Sequence, residues 1–140
     1  MESVQLGSAG GAMLILDEPQ RGDDGELWYL RATLELDGLR AVKRISAHYA
    51  TCMDELIAYL GDLAASWKGW DGTKEYVSLE KDLSLSSRHD GYGHVRTVVT
   101  LNKHDGSSDE WSCTGWVTTE PGAQMDVAAA TARELFARHL

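Results

Sequence analysis

The residues best suited to chemistry lie together in His89-Asp90-Gly91-Tyr92-Gly93-His94. Two histidines on either side of an acid could bind a metal ion, and a His–Asp pair could transfer protons. Two ligands without a third or fourth do not define a metal site, and Asp-Gly is also a favourable hairpin turn. We therefore interpret the segment as a turn between strands and expect no catalytic residue, no metal and no cofactor.

A β-hairpin carries the second set of candidate residues. Leu27 to Leu36 alternates apolar with polar residues, and Asp37-Gly38 predicts a two-residue turn that fixes the strand register. Nearly every opposed pair is then apolar with apolar or acid with base, and the exception is Ala32 opposite Lys43. The matched pairs in this register are Leu36–Leu39, Glu35–Arg40, Leu34–Ala41, Leu30–Ile45 and Trp28–Ala47.

The same register gathers cationic and aromatic side chains on the outer face of the hairpin. The members of this face are Tyr29, Arg31, Arg40, Arg44 and His48. Arg31 stands directly opposite Arg44, and opposed like charges are destabilising unless something neutralises them. The face could therefore bind an anion or a carboxylate ligand. In a chain this acidic we favour the other interpretation, in which Glu26, Glu35 or a nearby acid neutralises the arginines.

Tryptophan is unusually frequent, with five residues in 140. Trp28, Trp67 and Trp111 fall on apolar stripes and are predicted to lie in the core. Trp70 follows the end of a predicted helix, and Trp116 points away from the face of Trp111. These two are candidates for a partly exposed aromatic surface, because aromatic residues are favoured at the centres of interfaces. The alternative is that helices cover both faces of the strand.

The two cysteines are too few for a disulfide framework and match no zinc spacing. Cys113 lies mid-strand on the face of Trp111, which favours a buried, inert thiol. Cys52 adjoins a predicted helix N-terminus, where the dipole could lower its pKa, although a small residue in the first turn is the simpler interpretation. The sequence also lacks the common nucleotide, metallohydrolase, esterase and CxxC motifs.

Size and composition indicate one globular domain over residues 1–140. Hydrophobic residues make up 43% and charged residues 25%, which is ordinary for soluble proteins. No apolar run approaches the roughly 20 residues of a membrane span, and no signal-peptide pattern begins the chain, so we expect a cytoplasmic protein without membrane contact. The net charge of −9 excludes a general nucleic-acid binder and would suit a basic protein partner.

The predicted elements follow the order strands, helix, strands, helix. This order indicates an α+β fold with an antiparallel sheet of about seven to eight strands and two amphipathic helices. The halves 1–70 and 71–140 could be a diverged internal duplication, divided where the first predicted helix ends. Besides the hairpin, strands are predicted over 13–16, 75–79, 83–87, 94–101 and 110–118, with at best a frayed edge strand within 1–11.

The helix boundaries rest on capping signals and apolar stripes. Thr51 is expected to open the first helix through a capping box with Asp54, its stripe runs to Trp67, and Gly69 ends it. The second helix is expected over 123–139, with an ion pair between Glu134 and Arg138.

Three motifs in order carry a resemblance to a known family. They are W-x-G-W-x-G at 67–72, S-L-E-x-D-L at 78–83 and H-D-G-x-G-H-V at 89–95. With a late Trp on a strand before a final helix, they make roughly residues 25–140 resemble a family of small, functionally uncharacterised actinobacterial proteins. The resemblance implies a bacterial, stand-alone cytoplasmic domain and supplies no activity, cofactor or catalytic residue. In composition, such small acidic proteins are also similar to the immunity proteins of toxin systems.

We therefore predict a non-enzymatic protein-binding domain, and the sharpest version is an immunity-type inhibitor of a basic toxin. The predicted binding residues are Tyr29, Arg31, Arg44, His48, Trp70 and Trp116. The alternative is a small enzyme or ligand-binding domain that uses the Arg31/Arg44/His48 face or the His89–His94 turn. A structural or homo-oligomerising protein, a homodimer included, is the third hypothesis.

Overall fold

Eight antiparallel strands and two helices make up the computed structural model, which describes residues 2–8 and 10–138. The α+β class and the order strands, helix, strands, helix are confirmed, and the strands are divided between two sheets of four. The first sheet contains β1 (Val4–Gly7), β2 (Met13–Arg21), β3 (Leu27–Leu36) and β4 (Leu39–Ser46), followed by α1 (Asp54–Ala65). The second contains β5 (Lys74–Val77), β6 (Leu83–His89), β7 (Val95–Lys103) and β8 (Trp111–Thr119), followed by α2 (Ala123–Phe136).

The β3–β4 hairpin has the predicted register, with Leu36 opposite Leu39 and Leu30 opposite Ile45. Its exception, Ala32 opposite Lys43, has a tertiary explanation. Lys43 forms an ion pair of 3.2 Å between its Nζ and Oδ2 of Asp82, which is buried in the loop between β5 and β6. The lysine that interrupts the apolar face of the first sheet therefore joins that sheet to the second.

The buried side chains of both sheets and both helices form one contiguous core. The helices pack against each other, and a chain of buried hydroxyls connects α1 to the second sheet. The hydroxyl of Tyr59 is hydrogen-bonded to Ser87, whose Oγ lies 2.7 Å from Oγ1 of Thr97. Burial raises the pKa of Tyr59 to about 12, so this phenol stays protonated and able to donate a hydrogen bond.

The first strand is more firmly held than the frayed edge expected from the sequence. Val4 and Leu6 are fully buried, and the backbone N–H of Gly7 donates to Oγ1 of Thr119 on β8 at 3.0 Å. The side-chain amide of Gln124 on α2 donates to the carbonyl of Gly7. The N-terminal strand thus connects the first sheet to the second sheet and to α2, and the prediction of a frayed strand is wrong.

Strand β2 continues past Asp17-Glu18-Pro19, where its end was expected. Asp17 pairs with Arg31 and Gln20 pairs with Tyr29, so Glu18 and Pro19 form a β-bulge. Glu18 has a φ of +51°, and the proline, which has no N–H to donate, is tolerated because a bulge leaves a residue unpaired. The turn-forming residues therefore bend the strand without ending it.

The first helix begins later than predicted, at Asp54, and no side chain caps it. Thr51 instead donates its hydroxyl to the carboxylate of Glu55 at 2.7 Å, which lowers the pKa of Glu55. Because the helix ends at Ala65, Trp67 lies beyond its last turn and keeps 54% of its surface exposed. The placement of Trp67 in the core is thus wrong, since helical spacing no longer applies there.

The second helix ends at Phe136, and the predicted pair between Glu134 and Arg138 is replaced by a tertiary one. Arg138 forms an ion pair with Asp54, at the start of α1, with 2.8 Å between Nη2 and Oδ2. The predicted final residue, His139, lies outside the described residues. Within the described chain, neither helix has the length and apolarity that crossing a membrane requires.

Candidate binding groove

An open groove lies where the β2–β3 loop meets the loop between β4 and α1, and its volume is about 680 Å³. Its lining includes the carboxylates of Asp24 and Glu26 together with the aromatic rings of Trp28, Tyr29 and Tyr49. Among the described residues, neither lysine nor arginine lines it. The groove therefore combines apolar rings with negative charge.

Trp28 reaches the groove because of a second β-bulge. Gln20 pairs with Tyr29 and the next residue, Arg21, pairs with Leu27, so Trp28 is the extra residue of β3. Leu27 takes the buried position, and Trp28 keeps 58% of its surface exposed. The prediction that Trp28 lies in the core assumed unbroken alternation and is wrong. Bulges commonly redirect a side chain in this way next to functional sites.

The indole of Trp28 rests on the backbone of Gly22 in the β2–β3 loop. A β-carbon at Gly22 would lie only 2.6 Å from Cζ2 of the indole. On the other side, the carbonyl of Trp28 accepts a hydrogen bond from the N–H of Ala47 at 2.8 Å. The backbone holds the indole against the edge of the groove, so a binding partner would not have to order it.

The opposite rim is a short closed loop that presents Tyr49. His48 and Cys52 exchange two backbone hydrogen bonds of 2.9 Å, and Nδ1 of His48 accepts a further one from the N–H of Ala50 at 3.0 Å. Nδ1 acts as the acceptor, so Nε2 carries the proton of the neutral ring. Tyr49 stacks on the imidazole with 4.5 Å between ring centroids and keeps 87% of its surface exposed.

Cys52 lies at the base of the groove in a left-handed conformation, with a φ of +55°. Its buried thiol donates a hydrogen bond to Oε2 of Glu26 at 3.0 Å. Burial, and after it the interaction with Glu26, raise the pKa of Cys52. The helix dipole therefore does not activate this cysteine, and the thiol is a poor nucleophile that orients a carboxylate.

We expect Cys52 to be alkylated by iodoacetamide with a midpoint at higher pH than an ordinary thiol. Glu26→Gln removes the negative charge beside the sulfur, so the midpoint should move to lower pH and the reaction should accelerate. The measurement is the pH dependence of the alkylation rate, followed by mass spectrometry in a Cys113→Ser background. Glu55→Gln serves as the control, because Glu55 bonds to Thr51. An unchanged midpoint in Glu26→Gln would show that Glu26 does not raise the pKa of Cys52.

Four of the predicted site residues come together beside the groove. Tyr29 and His48 line it, and the guanidinium of Arg44 lies 4.3 Å from the ring centroid of Tyr29. Arg31 stands opposite Arg44 as predicted, and it forms a bidentate ion pair with Asp17 at 2.9 and 2.8 Å. The arginine pair is thus partly neutralised from within the chain, by the acid of a neighbouring strand.

The other two predicted residues lie elsewhere. Trp70 is half-buried, with its ring edge-on to His89 and below the ammonium of Lys74. Its Nε1 is buried and has no hydrogen-bond partner among the described residues. Trp116 projects from the outer face of the second sheet, where Arg96 stacks on it. The six predicted residues therefore do not form one site.

The two histidines of the 89–94 turn make separate structural contacts. His94 pairs with Asp90 at 3.1 Å, and the N–H of Tyr92 donates to Asp90, which lowers the pKa of that carboxyl. His89 accepts from the N–H of Gly91 and lies 3.3 Å from the carbonyl of Trp67. In the part of the chain that is described, three potential metal ligands do not gather anywhere.

Sequence reasoning missed Tyr49 and Asp24 as groove residues and placed Trp28 in the core. The signal for Tyr49 was weak, because the loop between β4 and α1 contains no recognisable turn motif. Asp24 lies in a Gly/Asp-rich loop, a composition typical of many solvated turns. Asp24 and Tyr49 come together because β3 pairs with both β2 and β4. This pairing places the β2–β3 loop beside the loop between β4 and α1.

Residues 6–139 match a family model described as a family of unknown function (DUF6228). The chain belongs to this family, which confirms the expected membership of an uncharacterised domain family. A search of curated proteins and a search of solved structures found no significant match.

Proposed function

We propose that this protein is a non-enzymatic binding domain whose groove receives a basic segment of another bacterial protein in the cytoplasm. An immunity-type inhibitor of a basic toxin is the most specific form of the proposal. It rests on one observation: two exposed rings, Trp28 and Tyr49, share a groove with the carboxylates of Asp24 and Glu26 and with no cationic side chain of the described chain.

An arginine side chain of the partner fits these groups. Its planar guanidinium stacks on aromatic faces and bonds a carboxylate through two donors. Glu26 uses Oε2 for the thiol of Cys52, and its Oε1 has no hydrogen-bond partner among the described residues. A half-buried carboxylate that is oriented in advance binds a cation more strongly than a fully solvated one, since solvent screens it less.

The charge of the whole chain supports the same partner. A net charge of −9 attracts a basic protein at long range, and this attraction raises the association rate more than the final affinity. The association rate should therefore fall steeply as the salt concentration rises, while dissociation changes less.

The test compares two double variants of the tagged protein in capture from a bacterial lysate of its own source. Trp28→Ala/Tyr49→Ala removes the rings of the groove. Trp67→Ala/Tyr92→Ala removes a tryptophan that is 54% exposed and a tyrosine that is 88% exposed at the other end of α1 and in the 89–94 turn. The control pair thus matches the groove pair in residue type and exposure.

The expected result is a basic protein bound one to one by the wild type and the control variant and lost from the groove variant. The partner would then be purified and titrated into each variant by calorimetry. Capture that survives loss of the groove rings, capture of acidic proteins alone, or no stoichiometric partner would each overturn the proposal.

A further inference from the structure

The outer face of strands β6, β7 and β8 differs from the rest of this acidic chain. On β6, β7 and β8, the residues that point outward are the even-numbered ones in the ranges 84–88, 96–102 and 112–118. None of these positions is Asp or Glu, although the chain contains 22 acidic residues. The positions instead carry Ser, Thr, Val, Asn, Trp and two arginines.

The two arginines stand in an arrangement that is unfavourable by itself. Arg88 lies directly opposite Arg96, and both are exposed. Neither forms an ion pair with any described residue. Opposed like charges destabilise a strand pair. In the first sheet the comparable pair, Arg31 and Arg44, has Asp17 to neutralise it. In the second sheet the nearest strand-borne acid on this face is Glu75 of β5, which lies opposite Ser86 and forms no ion pair with either arginine.

An aromatic ring adjoins the arginines. The guanidinium of Arg96 lies 5.2 Å from the ring centroid of Trp116, which keeps 60% of its surface exposed. On the neighbouring strands, Thr118 lies opposite Arg96 and Val98 lies opposite Trp116. Stacking on the indole holds the guanidinium plane in place while its outer N–H groups remain available to an acceptor.

We propose that this arginine face (Arg88, Arg96 and Trp116 with the hydroxyl residues beside them) binds an acidic peptide segment of a protein partner. Carboxylates would accept paired hydrogen bonds from the two guanidinium groups and relieve their repulsion. The Ser and Thr hydroxyls would bond the peptide, and Trp116 would cover an apolar side chain. The inference is independent of the groove, which has the opposite charge.

A nucleic acid fits this face less well than an acidic peptide. Binding a phosphate backbone needs several cations in a row, and log affinity scales with their number. The arginine face offers two. An acidic peptide places a few carboxylates among hydrogen-bonding and apolar groups, in the proportions that the face offers.

The probe is a synthetic peptide of alternating Glu and Ser, titrated into the full-length ¹⁵N-labelled chain and followed by NMR. We expect saturable shifts confined to the amides of β6 to β8 and the indole N–H of Trp116. Arg88→Ala/Arg96→Ala should weaken binding about tenfold, in keeping with the modest contribution of exposed charge pairs. The affinity of Arg88→Lys/Arg96→Lys should fall between those of the wild type and the alanine variant, because lysine keeps the charges and loses the bidentate geometry.

Two controls separate this face from general electrostatics and from the groove. Arg133→Ala removes an exposed arginine of α2, and Trp28→Ala/Tyr49→Ala removes the groove rings. Both should bind the acidic peptide as the wild type does. The proposal is overturned by unsaturable or scattered shifts, by wild-type affinity in Arg88→Ala/Arg96→Ala, by lost affinity in either control, or by tighter binding of oligothymidylate to the same residues.

Discussion

Asp82→Ala is expected to lower the free energy of unfolding by about 3 kcal/mol, because it removes the carboxylate that pairs with the largely buried charge of Lys43 and the acceptor of the Ser78 hydroxyl. The carboxylate of Asp82 is buried between the sheets, where it binds Nζ of Lys43 at 3.2 Å and accepts the hydroxyl of Ser78 at 2.7 Å. Its removal leaves the lysine charge in a largely buried position. Urea denaturation followed by circular dichroism measures the change.

Asp109→Ala is the matched control for this prediction. The pair between Asp109 and Lys103 is shorter, at 2.6 Å, but the aspartate side chain is mostly exposed. Exposed ion pairs contribute about 0–1 kcal/mol even when their geometry is good. A larger loss for Asp109→Ala than for Asp82→Ala would show that burial does not govern these pairs in this protein.

A double-mutant cycle with Lys43→Met shows whether the effect belongs to the pair. Because the apolar replacement leaves no unpaired charge, Lys43→Met/Asp82→Ala should be less destabilised than the sum of the two single variants, by about 1–3 kcal/mol. Additive losses would mean that Lys43 and Asp82 act separately, and the ion pair would then not be what joins the sheets.

Trp28→Ala is expected to weaken binding of the basic partner by about 30- to 1,000-fold, which corresponds to about 2–4 kcal/mol. Exposed tryptophans at the centre of an interface often have effects of this size, and the indole of Trp28 is already held in place against Gly22. Calorimetric titration with the purified partner measures the change. Trp67→Ala, at similar exposure, should bind normally, and an equal loss there would contradict the location of the site.

Gly22→Ala offers a sharper version of the same test, because it alters the position of the indole and keeps every groove side chain. The new methyl group would occupy space now filled by Cζ2 of Trp28. Glycine 22 does not have a positive φ, so alanine suits its backbone and the fold should persist. Reduced affinity with unchanged unfolding free energy is the expected result, and unchanged affinity would mean that the position of the indole does not matter.

Local residue patterns were enough to predict the β3–β4 hairpin and the α+β class of the fold. Alternation from Leu27 and the Asp37-Gly38 turn act between residues that are close in the chain, so the register from Leu30 to Ile45 follows from the sequence. The apolar stripe of α1 likewise predicted the burial of Leu56 and Leu60. The alternation also predicted that Arg31 lies opposite Arg44. It did not identify Asp17 as the acid that neutralises them, since Asp17 was interpreted as the end of a strand.

The sequence by itself thus determined the order of the strands and helices, the hairpin register and the membership of an uncharacterised family. The tertiary structure decided which side chains face solvent and which distant groups meet. Compensating bulges moved Trp28 outward and Leu27 inward, and an interruption in the period of two has no reliable signature in one strand read alone. The groove and the Lys43–Asp82 pair depend on loops and strands that are well separated in the chain, and local residue patterns do not encode such contacts.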